Sequence, residues 1–280
     1  KSLTKSVLFI GDSGLGKSSY VEDFARRIGY TLINLRLGEL EPVDITGMPM
    51  KTQLKDGTFI TEYARPHWWP TSGKFVLFID EPDRCSKEMH SCAMQIVQQR
   101  RAGMRDLPED GFVFAAANGP EYATIPMCQA LMRRFAVILF EPTVDEWIFW
   151  ARSNKVNSLI VDFIEANKDT SNMLDTPKGL VGKPNVIAPT RSGWTEFSLW
   201  LDSALTELPN LDTVSIYLEP YVGKTAAIAF EKWSKTKYRS VNLEDIFNKK
   251  YTSRELSNIS TMQLAAISNK ISKEFLCKTI

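Results

Sequence analysis

Histidine is nearly missing from this chain, with two in 280 residues. Cysteine is scarce as well: Cys85, Cys92, Cys128 and Cys277 form neither a Cys-x-x-Cys pair nor a compact framework. These shortages argue against a structural zinc site and a disulfide scaffold, and they point to the cytoplasm. Cys85 and Cys92, seven apart, are expected as small apolar residues buried on a helix. No apolar run approaches the ~20 residues of a membrane helix, so no membrane partner is expected. Neither sign of charge is in excess, with 34 basic against 33 acidic residues. A protein that grips nucleic acid by charge alone carries a basic surplus, so such a partner is allowed but not indicated. No signal peptide is visible, and because the chain does not begin with Met, a piece upstream is expected.

What is present is an ordinary globular composition, 44% apolar, enough for one large domain or two modest ones. Five stretches are continuously apolar and strand-sized: Ser6 to Ile10, Tyr30 to Leu35, Lys74 to Asp80, Gly111 to Ala117, and Phe135 to Phe140. Such runs are expected of parallel strands covered on both faces. A helix follows the first and is stopped by Gly29. Lys87 to Gly103 reads as another, with Met89, Ala93, Ile96 and Val97 on one face. The alternation predicts an α/β domain over residues 1–143, a parallel five-stranded sheet flanked by helices. Between residues 41 and 73 the gap is too long for a bare loop, and the Asp56-Gly57 turn signal predicts a β-hairpin insert. From 144 to 280 the pattern becomes helical, interrupted by a looser stretch rich in Pro, Gly and Asn from Asp169 to Pro189, which predicts a second, all-helical domain.

The densest chemistry lies at Gly11-Asp12-Ser13-Gly14-Leu15-Gly16-Lys17-Ser18-Ser19. This fits G-x-x-x-x-G-K-[ST], with a strand before and a helix after. The glycines let backbone N–H groups curl around phosphate oxygens, and the helix N-terminus adds partial positive charge there. Lys17 is placed to reach the β- and γ-phosphates, and Ser18 to ligate Mg²⁺. Asp80 and Glu81 end a buried strand, where the first acid suits Mg²⁺ and the second suits orientation of an attacking water.

With these motifs on the page, the chain resembles an AAA+ ATPase of the MoxR-type, dynein-related subgroup. The resemblance also rests on "EPVDITGMP", "AAANGPE", "ALMRRFAVILFEPT" and "APTRSGWTEFSLWL". It implies a P-loop AAA+ core with a C-terminal helical lid, and hydrolysis of ATP with Mg²⁺. It also implies assembly of the chain with itself into a ring, hexameric by resemblance. Asn118 resembles sensor 1, although Asn-Gly is also a common turn. Arg134 resembles the arginine finger, with its neighbour Arg133 as the alternative, and Arg191 resembles the lid arginine called sensor 2. MoxR-like proteins are similar to chaperones acting on a protein substrate or adaptor, including von Willebrand factor A-type partners. A nucleic-acid motor subunit and a nucleotide-gated scaffold stand as alternatives. Trp68 and Trp69 fit either a grip on a partner at the pore or plain packing. "DEPDR" departs from the related pattern, with Pro82 where Ile or Leu followed by Asn is usual.

Overall fold

In the computed structural model the described residues are 6–71, 73–119, 127–169, 173–183, 185–207 and 214–237. The chain divides into two units, Lys1–Pro142 and Thr143–Ile280.

In the first unit, β1 (Val7–Ile10) leads into α1 (Lys17–Ile28), β2 (Thr31–Arg36), α2 (Pro42–Thr46), β3 (Pro49–Gln53) and β4 (Phe59–Tyr63). There follow β5 (Phe75–Asp80), α3 (Lys87–Met94), β6 (Arg101–Ala102), β7 (Arg105–Asp106), β8 (Phe112–Ala117), α4 (Gln129–Met132) and β9 (Ala136–Leu139). The main sheet has the order β2-β5-β8-β1-β9, and every neighbouring pair in it is parallel. Its register sets Ile10 beside Ala117 and Asp80 beside Ala116. The parallel strands β1, β5 and β8 end on the same side, and their polar successors gather at those carboxyl ends.

β5 shows why its sequence is unbrokenly apolar. Val76 and Phe78 join Phe9, Val21 and Ala25 under α1, while Leu77 and Ile79 join Leu8, Met89, Ala93 and Ile96 under α3. Burial on both faces removes the need for alternation. The edge strands depart from that expectation: β2 is largely exposed or half-buried, and in β9 Val137, Ile138 and Leu139 are exposed. An edge strand has a neighbour on one side only, so an apolar run there does not guarantee cover.

Two further expectations are corrected along α3. Cys85 is buried but precedes that helix, in the turn after β5. The helix itself does not run to Gly103. It passes into a π turn at Gln95–Gln99, and Arg100, with φ 50°, reverses the chain. β6 and β7 then pair as a small antiparallel hairpin. The Arg100 guanidinium donates to the carbonyls of Pro108 and Gly111, at 2.9 and 2.8 Å, so the excursion is closed from within.

The insert contains the hairpin that the turn signal indicates. β3 and β4 are antiparallel from Pro49 opposite Tyr63 to Gln53 opposite Phe59. The Asp56 carboxylate accepts from the Thr58 N–H and hydroxyl at the turn. Nearly every residue of both strands is exposed, Met50 and Phe59 included. At the root, the Ala64 N–H donates to the Met48 carbonyl at 2.8 Å. Gly47 sits at φ 92° with the Ala64 carbonyl 1.9 Å from where a Cβ would be, so no side chain fits there. Arg105 reaches across from β7 and donates to the carbonyls of Tyr63 and Ala64.

In the second unit, α5 (Val144–Ser153) begins with a capping box in which Thr143 and Glu146 satisfy each other's backbone N–H groups. α6 (Ser158–Ala166), α7 (Arg191–Glu207) and α8 (Val214–Lys237) complete it, α8 being broken at Gly223. Trp194, Phe163, Phe197 and Phe230 fill their common core. Residues 238–280 lie outside the described residues, and with them the expectation of helix to the end of the chain and Cys277. Among the described residues, no helix is long and apolar enough to cross a membrane.

Candidate functional site

The loop between β1 and α1 is held from two sides, by the ends of β8 and β9. The Gly11 N–H donates to the Ala117 carbonyl at 3.4 Å, which ties the loop to the end of β8. A Cβ on Gly11 would stand 2.5 Å from the Phe140 carbonyl, so the loop begins against the end of β9 with no space to spare. Gly14 and Gly16 take φ of 79° and 94°, a region that costs an L side chain energy and a glycine none. Leu15 packs beside Gly11, Asp12 and Ser19 are half-buried, and Ser13 is exposed.

α1 starts with no side-chain cap and no acid in its first turn. The first N–H groups of a twelve-residue helix are therefore left for an anion from outside the chain. Lys17 is the buried cation beside them. Its Nζ donates to the carbonyls of Gly11 and Asp12, both at 2.9 Å, and to Asn118 Oδ1 at 3.2 Å. Burial pushes the Lys17 ammonium below its usual pKa, against the opposing pull of Asp80, Asp83, Asp12 and Glu81.

Ser18 donates to Asp80 Oδ2 at 3.4 Å. Burial and the neighbouring Glu81 charge push the Asp80 carboxyl above its usual range, while Arg36 works in the opposite direction. Arg36 is opposite Asp80 in the sheet register. Among the described residues no cluster of three or more His, Cys, Asp or Glu could hold a metal. A hydroxyl and one carboxylate nonetheless suit Mg²⁺, which keeps several waters of its own.

Glu81 follows directly. Its N–H still donates to the Ala116 carbonyl at 3.0 Å, but its φ of 51° and ψ of 49° turn the chain out of the sheet. Its carboxylate lies 3.2 Å from the Arg84 guanidinium. Lys17 is thus hydrogen-bonded to Asn118 and the next residue, Ser18, to Asp80, with Glu81 following Asp80 in the chain.

Within the first unit, the predicted Arg134 and Arg133 are not among the residues bonded to that group. Arg134 donates to Gln98 Oε1 at 2.5 Å and to the Ala130 carbonyl. Arg133 is exposed. Arg191 belongs to the second unit, where it is 5% exposed and forms a two-pronged pair with Asp175 at 2.8 and 2.9 Å. Trp68 and Trp69 are half-buried against the core, and the Trp68 indole N–H donates to the Asp44 carbonyl at 2.8 Å. A cavity of about 700 Å³ opens there, lined by Arg36, Glu39, Asp44, Arg65, His67 and Trp68 among others. It includes none of the residues of the phosphate loop. Sequence reasoning missed the β6–β7 hairpin, the Glu81–Arg84 pair and the Arg191–Asp175 pair. "RAGMR" was a readable turn signal for the first.

A glycine loop at a helix start, a buried lysine and a strand-end acid define a P-loop nucleotide-binding α/β unit. Residues 7–143 match the family model described as ATPase family associated with various cellular activities (AAA), and this part of the chain is an AAA ATPase domain. Domains of that family bind nucleotide, typically with Mg²⁺. A comparison with curated proteins gives no match. Among solved structures, the chain is similar to a mutant of RuvB from Thermotoga maritima at 14% identity. That match covers 87% of this chain and 70% of that one, with a TM-score of 0.45. It is also similar to a second mutant of the same RuvB, at 14% identity over 93% and 79% of the two chains, TM-score 0.43. NtrX from Brucella abortus is similar at 13% identity over 90% and 55%, TM-score 0.39.

Proposed function

We propose that the chain is a Mg²⁺-dependent ATPase that works as a ring of identical subunits to remodel or assemble a partner protein, in the manner of MoxR-type proteins. The observation that carries the chemical part is the pairing of Lys17 with Asn118 and of Ser18 with Asp80 at the carboxyl ends of β1, β5 and β8. Bound Mg²⁺–ATP supplies the phosphoryl group and the metal charge. The chain's own residues do the rest. The Gly11–Gly16 backbone and the open start of α1 receive phosphate oxygens, and Lys17 exchanges its carbonyl partners for them. Ser18 would ligate Mg²⁺, and Asp80 would hold the metal's water shell. Asn118 and Glu81 place the attacking water, Glu81 as the base.

Two parts of the reading concern assembly. Arg134, with Arg133 as the alternative, serves a neighbouring subunit's site. The Arg134 guanidinium must first leave Gln98 and Ala130, whereas Arg133 is already exposed. Arg191 acts as the lid arginine once it gives up part of its Asp175 pairing. The exposed hairpin β3–β4, which carries Met50, Phe59 and Ile60, faces the partner, while the Trp68–Trp69 pair packs against the core. A hexamer and a von Willebrand factor A-type partner complete the reading by resemblance, and the scarcity of cysteine adds a cytoplasmic setting.

Binding and chemistry are tested separately with a fluorescent ATP analogue and a phosphate-release assay. Lys17→Ala is expected to lose nucleotide binding, and Glu81→Gln to bind but not hydrolyse. Turnover by Glu81→Gln at the wild-type rate would remove Glu81 from the mechanism, and undiminished binding by Lys17→Ala would remove the phosphate-loop assignment.

A further inference from the structure

We propose that the cavity at the root of the insert hairpin is a docking site for an acidic peptide segment with an apolar or aromatic residue at its centre. The cavity lies within the first unit, among the end of β2, α2 and the roots of β3 and β4, and shares no residue with the phosphate loop. Its volume of about 700 Å³ is in the range of pockets that enclose a ligand. Its occupancy does not depend on whether the chain hydrolyses ATP.

The walls are built in advance. The Trp68 indole N–H is tied to the Asp44 carbonyl at 2.8 Å, and its ring leans on Trp69 with centroids 5.5 Å apart, which fixes an aromatic wall. Val43 and Met48 line the same space and remain 45% and 61% exposed, so apolar surface there is open to an incoming side chain. The charges decide what else the occupant carries. Both acids on the lining are already engaged: the Asp44 carboxylate accepts from the Glu41 N–H at 2.9 Å, and Glu39 pairs with Arg36 at 3.4 Å. Arg65 and His67 also line the cavity, both exposed, and neither has a hydrogen bond or ion pair among the described residues. The unspent capacity is therefore for an anion, and a guanidinium fork suits a carboxylate in particular. Arg36 adds to it, because its pair with Glu39 is largely exposed and weak enough to exchange for another carboxylate. The occupant's form follows from the hairpin. The bond from the Ala64 N–H to the Met48 carbonyl continues the β3–β4 ladder, so Met48 and the exposed Met50 fall on one face. Apolar surface thus runs from the cavity along the strand, a track that an extended peptide covers and a compact small molecule does not.

The test is fluorescence anisotropy of labelled peptides with the full chain and no nucleotide, so that the result is independent of hydrolysis. The peptide DDFLDD is expected to bind with a Kd of about 10–100 µM, and KKFLKK and DDSSDD about tenfold more weakly or worse. Arg65→Glu and the double variant Val43→Ser/Met48→Ser are each expected to weaken DDFLDD by about tenfold or more. Arg27→Glu makes the same charge change in the last turn of α1, before the start of β2, and is expected to leave binding unchanged. All four side chains are exposed, so these variants keep the fold. Absence of saturable DDFLDD binding up to about 1 mM overturns the docking site. Equal binding of DDSSDD does so too, as does DDFLDD binding that survives both cavity variants. Competition by free N-acetylphenylalanine at the peptide's own affinity would overturn the peptide assignment in favour of a small-molecule site.

Discussion

Replacing Gly11 with alanine tests whether the phosphate loop is held as closely as its contacts indicate. The φ of Gly11 is not in the left-handed region, so the substitution asks about space alone. The added Cβ would lie 2.5 Å from the Phe140 carbonyl oxygen and 3.3 Å from Leu15 Cδ1. Leu15 can turn aside. The carbonyl cannot, because the Phe140 N–H is bonded to the Ile10 carbonyl at 2.7 Å and its ring packs on Phe9 and Tyr20. A methyl forced into a filled site costs about 1–3 kcal/mol. For a unit of this size that lowers the melting temperature by roughly 3–12 °C. Relief must come from the loop, whose Gly11 carbonyl orients Lys17, so the rise in melting temperature on adding Mg²⁺–ATP should shrink as well. The assay is thermal unfolding with and without nucleotide. Gly57→Ala is the control: it is strained by φ 86° but has nothing within 4 Å of the new Cβ, in the hairpin turn. It should leave the nucleotide-induced rise intact. A Gly11→Ala protein with wild-type melting temperature and the full nucleotide-induced rise would refute the close contact.

Two other outcomes are expected. Asp80 holds its proton at higher pH than an ordinary carboxylate, and the protonated form has lost the charge that serves Mg²⁺, so turnover should fall on the acid side above the usual range near pH ~4. Raising Mg²⁺ should push that limb to lower pH, and a limb indifferent to Mg²⁺ would refute the assignment. If sites are shared between subunits, mixing Arg134→Ala with Lys17→Ala chains should restore turnover that neither has alone, and no recovery after verified co-assembly would count against Arg134.

The parts legible in the sequence were those whose cause is local. Gly11 through Ser18 is one uninterrupted turn, so its geometry follows from neighbouring residues. β5 was readable because burial on both faces leaves a continuous apolar run. β9 carries the same kind of run at an edge and stays exposed, because strand order is set by the whole sheet. The end of α3 was hidden for a related reason. Ile96 and Val97 keep helical spacing, and the chain turns only at Arg100, whose guanidinium is held by carbonyls eight and eleven residues on. The contact of Lys17 with Asn118 spans 101 residues and exists because β8 lies beside β1. The pairing of Arg191 with Asp175 depends equally on a fold that brings a loop back to a helix start.

The root of the insert hairpin has a consequence for how this protein diversifies. The bond from the Ala64 N–H to the Met48 carbonyl, the fit of Gly47 under Ala64, and the grip of Arg105 form a neck that closes before the hairpin begins. Beyond that neck β3 and β4 bury almost nothing, so folding places little demand on their residue types. Lengthening such an excursion adds only a few tenths of a kcal/mol per several residues. The hairpin is therefore an interchangeable tip on a fixed socket. Its sequence is answerable to whatever it touches, and chains with other tips can keep the same machinery beneath.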